Sequence, residues 1–109
     1  KGLPLMKLRR YEILLPLLYN NGAKIEKEKF LITNEDLLNK FGATTTDTTM
    51  IVGRWLFQNQ LFEDKLMRII IDAPADGDHE DFLKQYKEVL KERFKQIDIW
   101  ITSYEINVV

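Results

Sequence analysis

The chain has 109 residues, with 16 Lys and Arg against 17 Asp and Glu, and it contains no cysteine. The missing thiols exclude disulfides, thiol catalysis and zinc sites built on cysteine. A formal net charge of −1 creates no overall basic field, so nucleic acid is not the expected partner. No apolar run approaches the roughly 20 residues of a membrane span, and we expect a cytoplasmic protein without membrane contact.

The start of the chain predicts a short extension followed by a strand. Residues 1–10 are assigned to an N-terminal extension, within which Met6 is a candidate start, and residues 11–109 to a single domain. The sequence YEILLPLLY, Tyr11–Tyr19, is apolar on both alternating faces, which is typical of a strand covered on both sides. Pro16 has no N–H to give to a strand ladder and therefore indicates a bulge or a sheet edge.

A helix is predicted next, over about Glu26–Lys40, with Gly42 in the position of a C-terminal cap. Its apolar face consists of Phe30, Leu37, Leu38 and Phe41. The threonine-rich sequence FGATTTDTTM follows. It either cradles an anion or leads from the cap into a strand, with Asp47 making a local turn bond. The second interpretation is favoured, because no Lys or Arg lies within the run and a strand follows it where an anion site usually has a helix N-terminus.

The second half of the chain predicts a hairpin, a helix and a closing strand. TTMIVGRWLFQ and LFEDKLMRIIIDAP are rich in β-branched and aromatic residues, and NQ makes the turn between them. The clearest helix spans about Asp81–Lys95, after a cap at Asp76 or Asp78. Its apolar stripe consists of Phe82, Leu83, Tyr86, Val89, Leu90 and Phe94. The closing strand IDIWITSYEINVV is expected to turn three isoleucines towards the helices: Ile97, Ile99 and Ile101.

The order strand, helix, strand, strand, helix, strand is that of the α+β ferredoxin-like fold, βαββαβ, a four-stranded antiparallel sheet with two helices on one face. The sequences LLYNNG, KFG and VGRW resemble those of small bacterial ferredoxin-like proteins of unknown function. The residues that carry this resemblance are Gly22, Phe41, Gly42, Gly53 and Trp55. The resemblance implies the fold and brings no known activity with it.

Two polar features are candidates for metal or acid–base chemistry. The acidic loop DGDHED offers oxygen ligands, but it lacks EF-hand spacing and is interpreted as helix capping, so we expect no metal and no cofactor. His79 is the only histidine, and no nucleophile pairs with it by motif. Glu63, Asp64 and Glu12 could form a carboxylate pair across strands.

The helix-free face of the predicted sheet is the most informative surface. If the closing strand turns its isoleucines to the helices, then Trp100 and Tyr104 lie on the opposite face. The second strand adds either Ile51, Trp55 and Phe57 or Val52, Arg54 and Leu56, and both sets are largely apolar. A face of this kind is expected to be covered, by a second copy of the chain, by a stacked heterocycle or by residues 1–10.

We therefore predict a non-enzymatic interaction module that forms a homodimer through this face. The predicted interface residues are Trp55, Phe57, Trp100 and Tyr104. One alternative is a small-ligand enzyme of the dimeric α/β-barrel type, in which Arg54, Arg68 or His79 serves the substrate. A second alternative is a nucleic-acid-binding module that uses the basic start KLRRY and the exposed aromatic residues.

Overall fold

The strands and helices follow the predicted order in the computed structural model, which describes residues 6–109. The elements are β1 (Met6–Pro16), α1 (Lys27–Phe41), β2 (Thr45–Phe57), β3 (Gln60–Ala73), α2 (Gly77–Arg93) and β4 (Ile101–Val108). All neighbouring strands are antiparallel, in the order β2-β3-β1-β4. This is the predicted ferredoxin-like arrangement. Neither described helix has the length and the apolar character that crossing a membrane requires.

Strand β1 begins earlier than the sequence pattern predicts. Residues Met6–Arg10, which the pattern assigns to an N-terminal extension, pair with Tyr104–Val108 of β4 and form the first part of the strand. The sequence pattern misses these residues because the apolar alternation that marks the strand starts only at Tyr11, where β1 faces the core. The remaining part of the proposed extension, residues 1–5, lies outside the described residues.

Strand β1 also ends earlier than predicted, at Pro16, which is opposite Leu66 of β3. Proline cannot donate the hydrogen bond that would continue the ladder. One further bond follows, from the N–H of Leu17 to the carbonyl oxygen of Lys65 (2.9 Å). Beyond it, no described strand pairs with the edge of β3 that continues to Gln60.

The core lies between the sheet and the two helices. Tyr11, Ile13 and Leu15 alternate along β1 and are buried on the side of the sheet that carries the helices. The buried part of the predicted α2 stripe packs into the same cluster and consists of Leu83, Tyr86, Leu90 and Phe94. Two predictions are therefore confirmed: both helices lie on one side of the sheet, and the main apolar stripe of α2 faces the core.

Three residues expected in the core are exposed instead. Val89 and Leu38 are 43% and 46% exposed, because each lies about 100° around its helix from a fully buried leucine. Ile97 is 90% exposed. Strand β4 begins only at Ile101, so the alternation expected of a strand does not extend back to Ile97.

The threonine-rich segment ends a helix and starts a strand. Gly42 has a left-handed backbone, with φ of 83°, and its N–H donates to the carbonyl oxygen of Leu38 (2.8 Å). Strand β2 already begins at Thr45. Asp47 accepts a hydrogen bond on Oδ1 from the N–H of Thr49 (2.9 Å). The strand-entry interpretation is confirmed, including the turn bond of Asp47.

The β2–β3 hairpin extends beyond the rest of the sheet. Gln58 and Asn59 form its turn, and both have positive φ values, 51° and 62°, as in a two-residue type I′ turn. The Cα radius of gyration is 15.6 Å, against the roughly 13 Å expected of a compact chain of this size. At the tip, Leu56, Phe57 and Leu61 are exposed, so both faces of the hairpin present apolar side chains to solvent.

Candidate functional site

Two of the predicted interface residues, Trp100 and Tyr104, project from the helix-free face on its β4 side. Tyr104 is paired with Arg10, and the carbonyl oxygen of Trp100 accepts a hydrogen bond from the N–H of Leu14 (3.0 Å). On β1, Arg10 and Leu14 alternate with buried residues such as Tyr11, so they point to the helix-free face. Trp100 is 64% exposed, so most of a large apolar side chain is in contact with solvent.

The other two predicted interface residues, Trp55 and Phe57, stand on the same face of the hairpin. Ile51 is opposite Leu66, and Leu66 is opposite Pro16 on the helix-free side of β1. Residues directly opposite one another in an antiparallel pair share a face. Steps of two residues from Ile51 therefore place Trp55 and Phe57 on the helix-free side. The structure brings all four aromatic residues to one face.

A row of polar side chains crosses the centre of this face. Arg68 of β3 contacts Glu12 of β1 (Nη1 to Oε1, 3.2 Å) and Asp47 of β2 (Nη2 to Oδ2, 2.7 Å). The hydroxyl group of Tyr104 on β4 donates to the second oxygen of Glu12 (2.7 Å). This charged row thus joins all four strands. The expectation of an apolar surface across the whole face is therefore wrong at its centre.

Arg68 dominates the electrostatics of the charged row. The hydrogen bond that Arg68 donates to Asp47 holds the pKa of that carboxyl group below the usual range, and the hydrogen bonds that Arg68 donates to Asp47 and Glu12 raise the pKa of its guanidinium group. The Nε of Arg68 is shielded from solvent and has no hydrogen-bond partner among residues 6–109. Arg10 and Asp72 form a separate bidentate pair (2.8 and 2.9 Å) on the same face. Because these acids have basic partners, the centre of the face can be covered without stranding a lone charge.

The three predicted ligand-binding residues do not meet. Arg68 lies in the charged row, whereas Arg54 lies on the opposite face of the hairpin and is bonded to Glu63 (Nε to Oε2, 2.8 Å). His79 lies in the first turn of α2, and its Nδ1 is 3.1 Å from the carbonyl oxygen of Pro74. Within the described part of the chain, these residues define three separate surfaces and no common site.

The acidic loop before α2 caps the helix. Helix α2 begins at Gly77 rather than at about Asp81, and Oδ1 of Asp76 accepts a hydrogen bond from the N–H of Asp78 (2.8 Å). Asp78 and Glu80 lie in the first turn, where the helix dipole favours acidic side chains. Among residues 6–109, no three His, Asp or Glu side chains are grouped closely enough to hold a metal ion.

A groove of about 660 Å³ opens where β1 ends. Residues Phe62–Lys65 of β3 and the neighbouring Trp55 line it from the hairpin. Leu18–Asn20 and Gly22 line it from the turn after β1, and Gln96–Asp98 line it from the segment before β4. The early end of β1 creates this space, because the hairpin continues where its neighbour in the sheet stops.

Two aromatic rings and a carboxyl group give the groove its chemical character. Trp55 and Phe62 are cross-strand partners, and their rings stack with centroids 5.4 Å apart and planes 14° from parallel. Asp64 follows two residues along β3, on the same face. Its partner on β2 is Gly53, so no side chain stands directly opposite the carboxyl group. Partial burial raises the pKa of Asp64, and no described hydrogen bond or charge offsets that effect.

The sequence pattern points to Asp64 only as one half of a carboxylate pair. The structure does not form that pair, because successive strand residues point to opposite faces, which separates Glu63 from Asp64. Glu12 is engaged in the charged row. The groove itself has no sequence signal, since it is assembled from three segments that are far apart along the chain.

The fold and this surface define a small ferredoxin-like α+β protein with an aromatic, helix-free sheet face and a projecting hairpin. No family model matches the chain, and no curated protein matches it. Among solved structures, the chain is similar to the divalent cation tolerance protein (Cut A1) from Thermus thermophilus, with a TM-score of 0.59 and 13% identity over 93% of this chain and 84% of that one.

Two further solved structures are similar. The divalent ion tolerance protein CutA1 from Ehrlichia chaffeensis has a TM-score of 0.58 and 9% identity, over 91% of this chain and 80% of that one. A phage SAM lyase in complex with S-methyl-5′-thioadenosine has a TM-score of 0.62 and 17% identity, over 93% of this chain and 90% of that one. At these identities the likeness shows the fold alone, and the resemblance seen in the sequence holds at that level.

Proposed function

We propose that this protein is a non-enzymatic interaction module that associates with a second copy of itself through the helix-free face of its sheet. One observation carries the proposal: four exposed aromatic side chains share that face, namely Trp55, Phe57, Trp100 and Tyr104. The helices cover only the other face. A large apolar surface left in water is unusual for a monomer and marks an interaction site.

A second copy of the chain suits this face for two reasons. A two-fold axis lets a single self-complementary patch serve both subunits, and such dimers are the commonest oligomers. The charged row also suits burial, because Arg68 is already paired with Glu12 and Asp47 and covering the row leaves no lone charge.

The enzyme alternative receives less support. A catalytic pocket needs convergent polar groups with a shared reaction centre. Arg54, Arg68 and His79 lie on three different surfaces. The nucleic-acid alternative is disfavoured for a separate reason, since the net charge is −1 and the arginines of the helix-free face are paired with acids.

The test is sedimentation velocity of the wild type and two charge variants over a range of micromolar concentrations. We expect a dimer for the wild type and a monomer for Trp100→Glu, because the new carboxylate would be buried in the interface. Leu31→Glu is the matched control, since Leu31 is an exposed apolar residue of α1 away from the sheet. It should leave the dimer intact. A monomeric wild type, or dissociation of the dimer to the same extent in both variants, would rule out this interface.

A further inference from the structure

We propose that the groove at the end of β1 binds a small planar organic cation, whose ring extends the stack of Trp55 and Phe62 and whose positive charge pairs with Asp64. Binding does not rest on self-association, because a single chain supplies all three side chains, but Trp55 also belongs to the proposed dimer face, so a ligand and a second copy would compete for it. The volume of about 660 Å³ falls within the roughly 300–1,000 Å³ typical of small-molecule sites.

Trp55 and Phe62 supply the aromatic half of the site. Their rings are stacked and nearly parallel, so a planar ligand that lies against the outer face of one ring extends the stack. Tryptophan is also the side chain that attracts cations most strongly through its ring. Tyr19, on the other side, is already engaged, because Lys29 and Lys95 lie over its ring (4.9 and 5.3 Å to the centroid).

The acids that line the groove differ in whether a basic side chain already neutralises them. Glu63 and Asp98 also line the groove, but each forms a salt bridge with a basic side chain. Asp64 has no such partner among residues 6–109 and stands opposite a glycine. The neighbouring base, Lys65, is paired with Val52. Because successive strand residues point to opposite faces, Lys65 points away from the face that carries Asp64. A ligand in the groove therefore meets one carboxylate that it can neutralise.

Isothermal titration calorimetry with two matched probes tests this proposal. N-methylquinolinium and quinoline share one ring system, and only the first is charged at neutral pH. We expect the wild type to bind the cation about tenfold more tightly or better, as the coulombic attraction between its charge and a partly buried carboxylate allows. Asp64→Asn should remove most of that preference, leaving the part that the attraction of the cation to the Trp55 ring supplies, and should leave the binding of quinoline unchanged. Trp55→Ala should weaken both probes by about tenfold, as lost stacking does for nucleobases.

Two controls separate this site from the proposed dimer and from misfolding. Trp100→Glu lies outside the groove and frees Trp55 from the proposed dimer face, so this variant should bind N-methylquinolinium at least as tightly as the wild type. Amide NMR shifts caused by the probe should centre on residues 62–65 and on Gly22, which locates the site even if Trp55→Ala fails to fold. The proposal is overturned if the wild type does not prefer the cation, if Asp64→Asn keeps the full preference, if the shifts lie elsewhere, or if the folded Trp100→Glu variant loses binding.

Discussion

The hydroxyl group of Tyr86 on α2 donates a hydrogen bond to Oδ2 of Asp36 on α1 (2.8 Å). Arg93 donates to the same carboxyl oxygen (3.2 Å), to the Tyr86 oxygen (3.0 Å) and to Oγ1 of Thr33 (2.8 Å). Burial, followed by the bond to Asp36, raises the pKa of Tyr86 to about 12. The two helices are therefore joined by a polar network in addition to their apolar contacts with the sheet.

Thr33→Val tests this network. Thr33 is fully buried, and its hydroxyl accepts from Arg93 while donating to the carbonyl oxygen of Lys29 (2.7 Å). Valine keeps the volume and leaves both partners without their bond, so the free energy of unfolding should fall by about 1–3 kcal/mol. Urea denaturation measures it, with the exposed Thr48→Val as a control that should change little. A loss below about half a kcal/mol would mean that the network adds no net stability.

Leu90→Ala tests the position of the core. Leu90 is fully buried on α2, so its truncation should cost about 2–5 kcal/mol through lost contacts and a residual cavity. The adjacent Val89 is largely exposed, and Val89→Ala should cost less than about 1 kcal/mol. Similar losses at both positions, measured by chemical denaturation, would contradict the orientation of this helix.

The hairpin turn offers a stabilising change. Gln58 and Asn59 both have positive φ values, a conformation that is unfavourable for glutamine and that Asn-Gly adopts readily in type I′ turns. The double change Gln58→Asn with Asn59→Gly should therefore raise the free energy of unfolding by about 1 kcal/mol. Slower hydrogen exchange at hairpin amides would accompany the gain. Destabilisation would show that the turn has a different geometry.

Asp64 gives a pH dependence with a defined sign. Its folded pKa is raised above the ordinary 3.8, so the ionised carboxylate destabilises the folded state and the protonated group does not. The wild type should therefore lose stability relative to Asp64→Asn as the pH rises through the raised pKa. Well below pH 3.8, where the group is protonated in both the folded and unfolded states, that difference should disappear. Thermal unfolding of both proteins in acidic and neutral buffers measures it. A constant difference at all pH values would exclude titration of Asp64 as the cause.

The element order of this protein could be predicted because its signals are local. The stripe of α2 and the alternation in β1 each come from neighbouring residues. The charged row could not be predicted, since it depends on the pairing of distant strands. The contact of Glu12, Arg68 and Asp47 can be predicted only if the β1–β3 register and the irregularity of β2 between Asp47 and Ile51 are both known.

The groove depends on a still finer detail, the position of one turn. The sequence indicates a turn at Asn59 and Gln60, which would pair Trp55 with Asp64. The structure turns at Gln58 and Asn59 instead, and Trp55 pairs with Phe62. A glutamine with a left-handed backbone is rare enough that no sequence rule favours it, and the aromatic stack follows from that one residue.

The early end of β1 at Pro16 has a consequence for solubility. It leaves one edge of β3, from Gln60 towards Asp64, without a described partner strand, and such an edge is a template on which further chains can add strands. Charged side chains oppose that addition, and this edge carries Glu63 and Asp64 in succession. Neutralising both would favour the assembly of fibres even where the folded state gains stability, because the edge of β3 would lose the repulsion that keeps neighbouring chains apart.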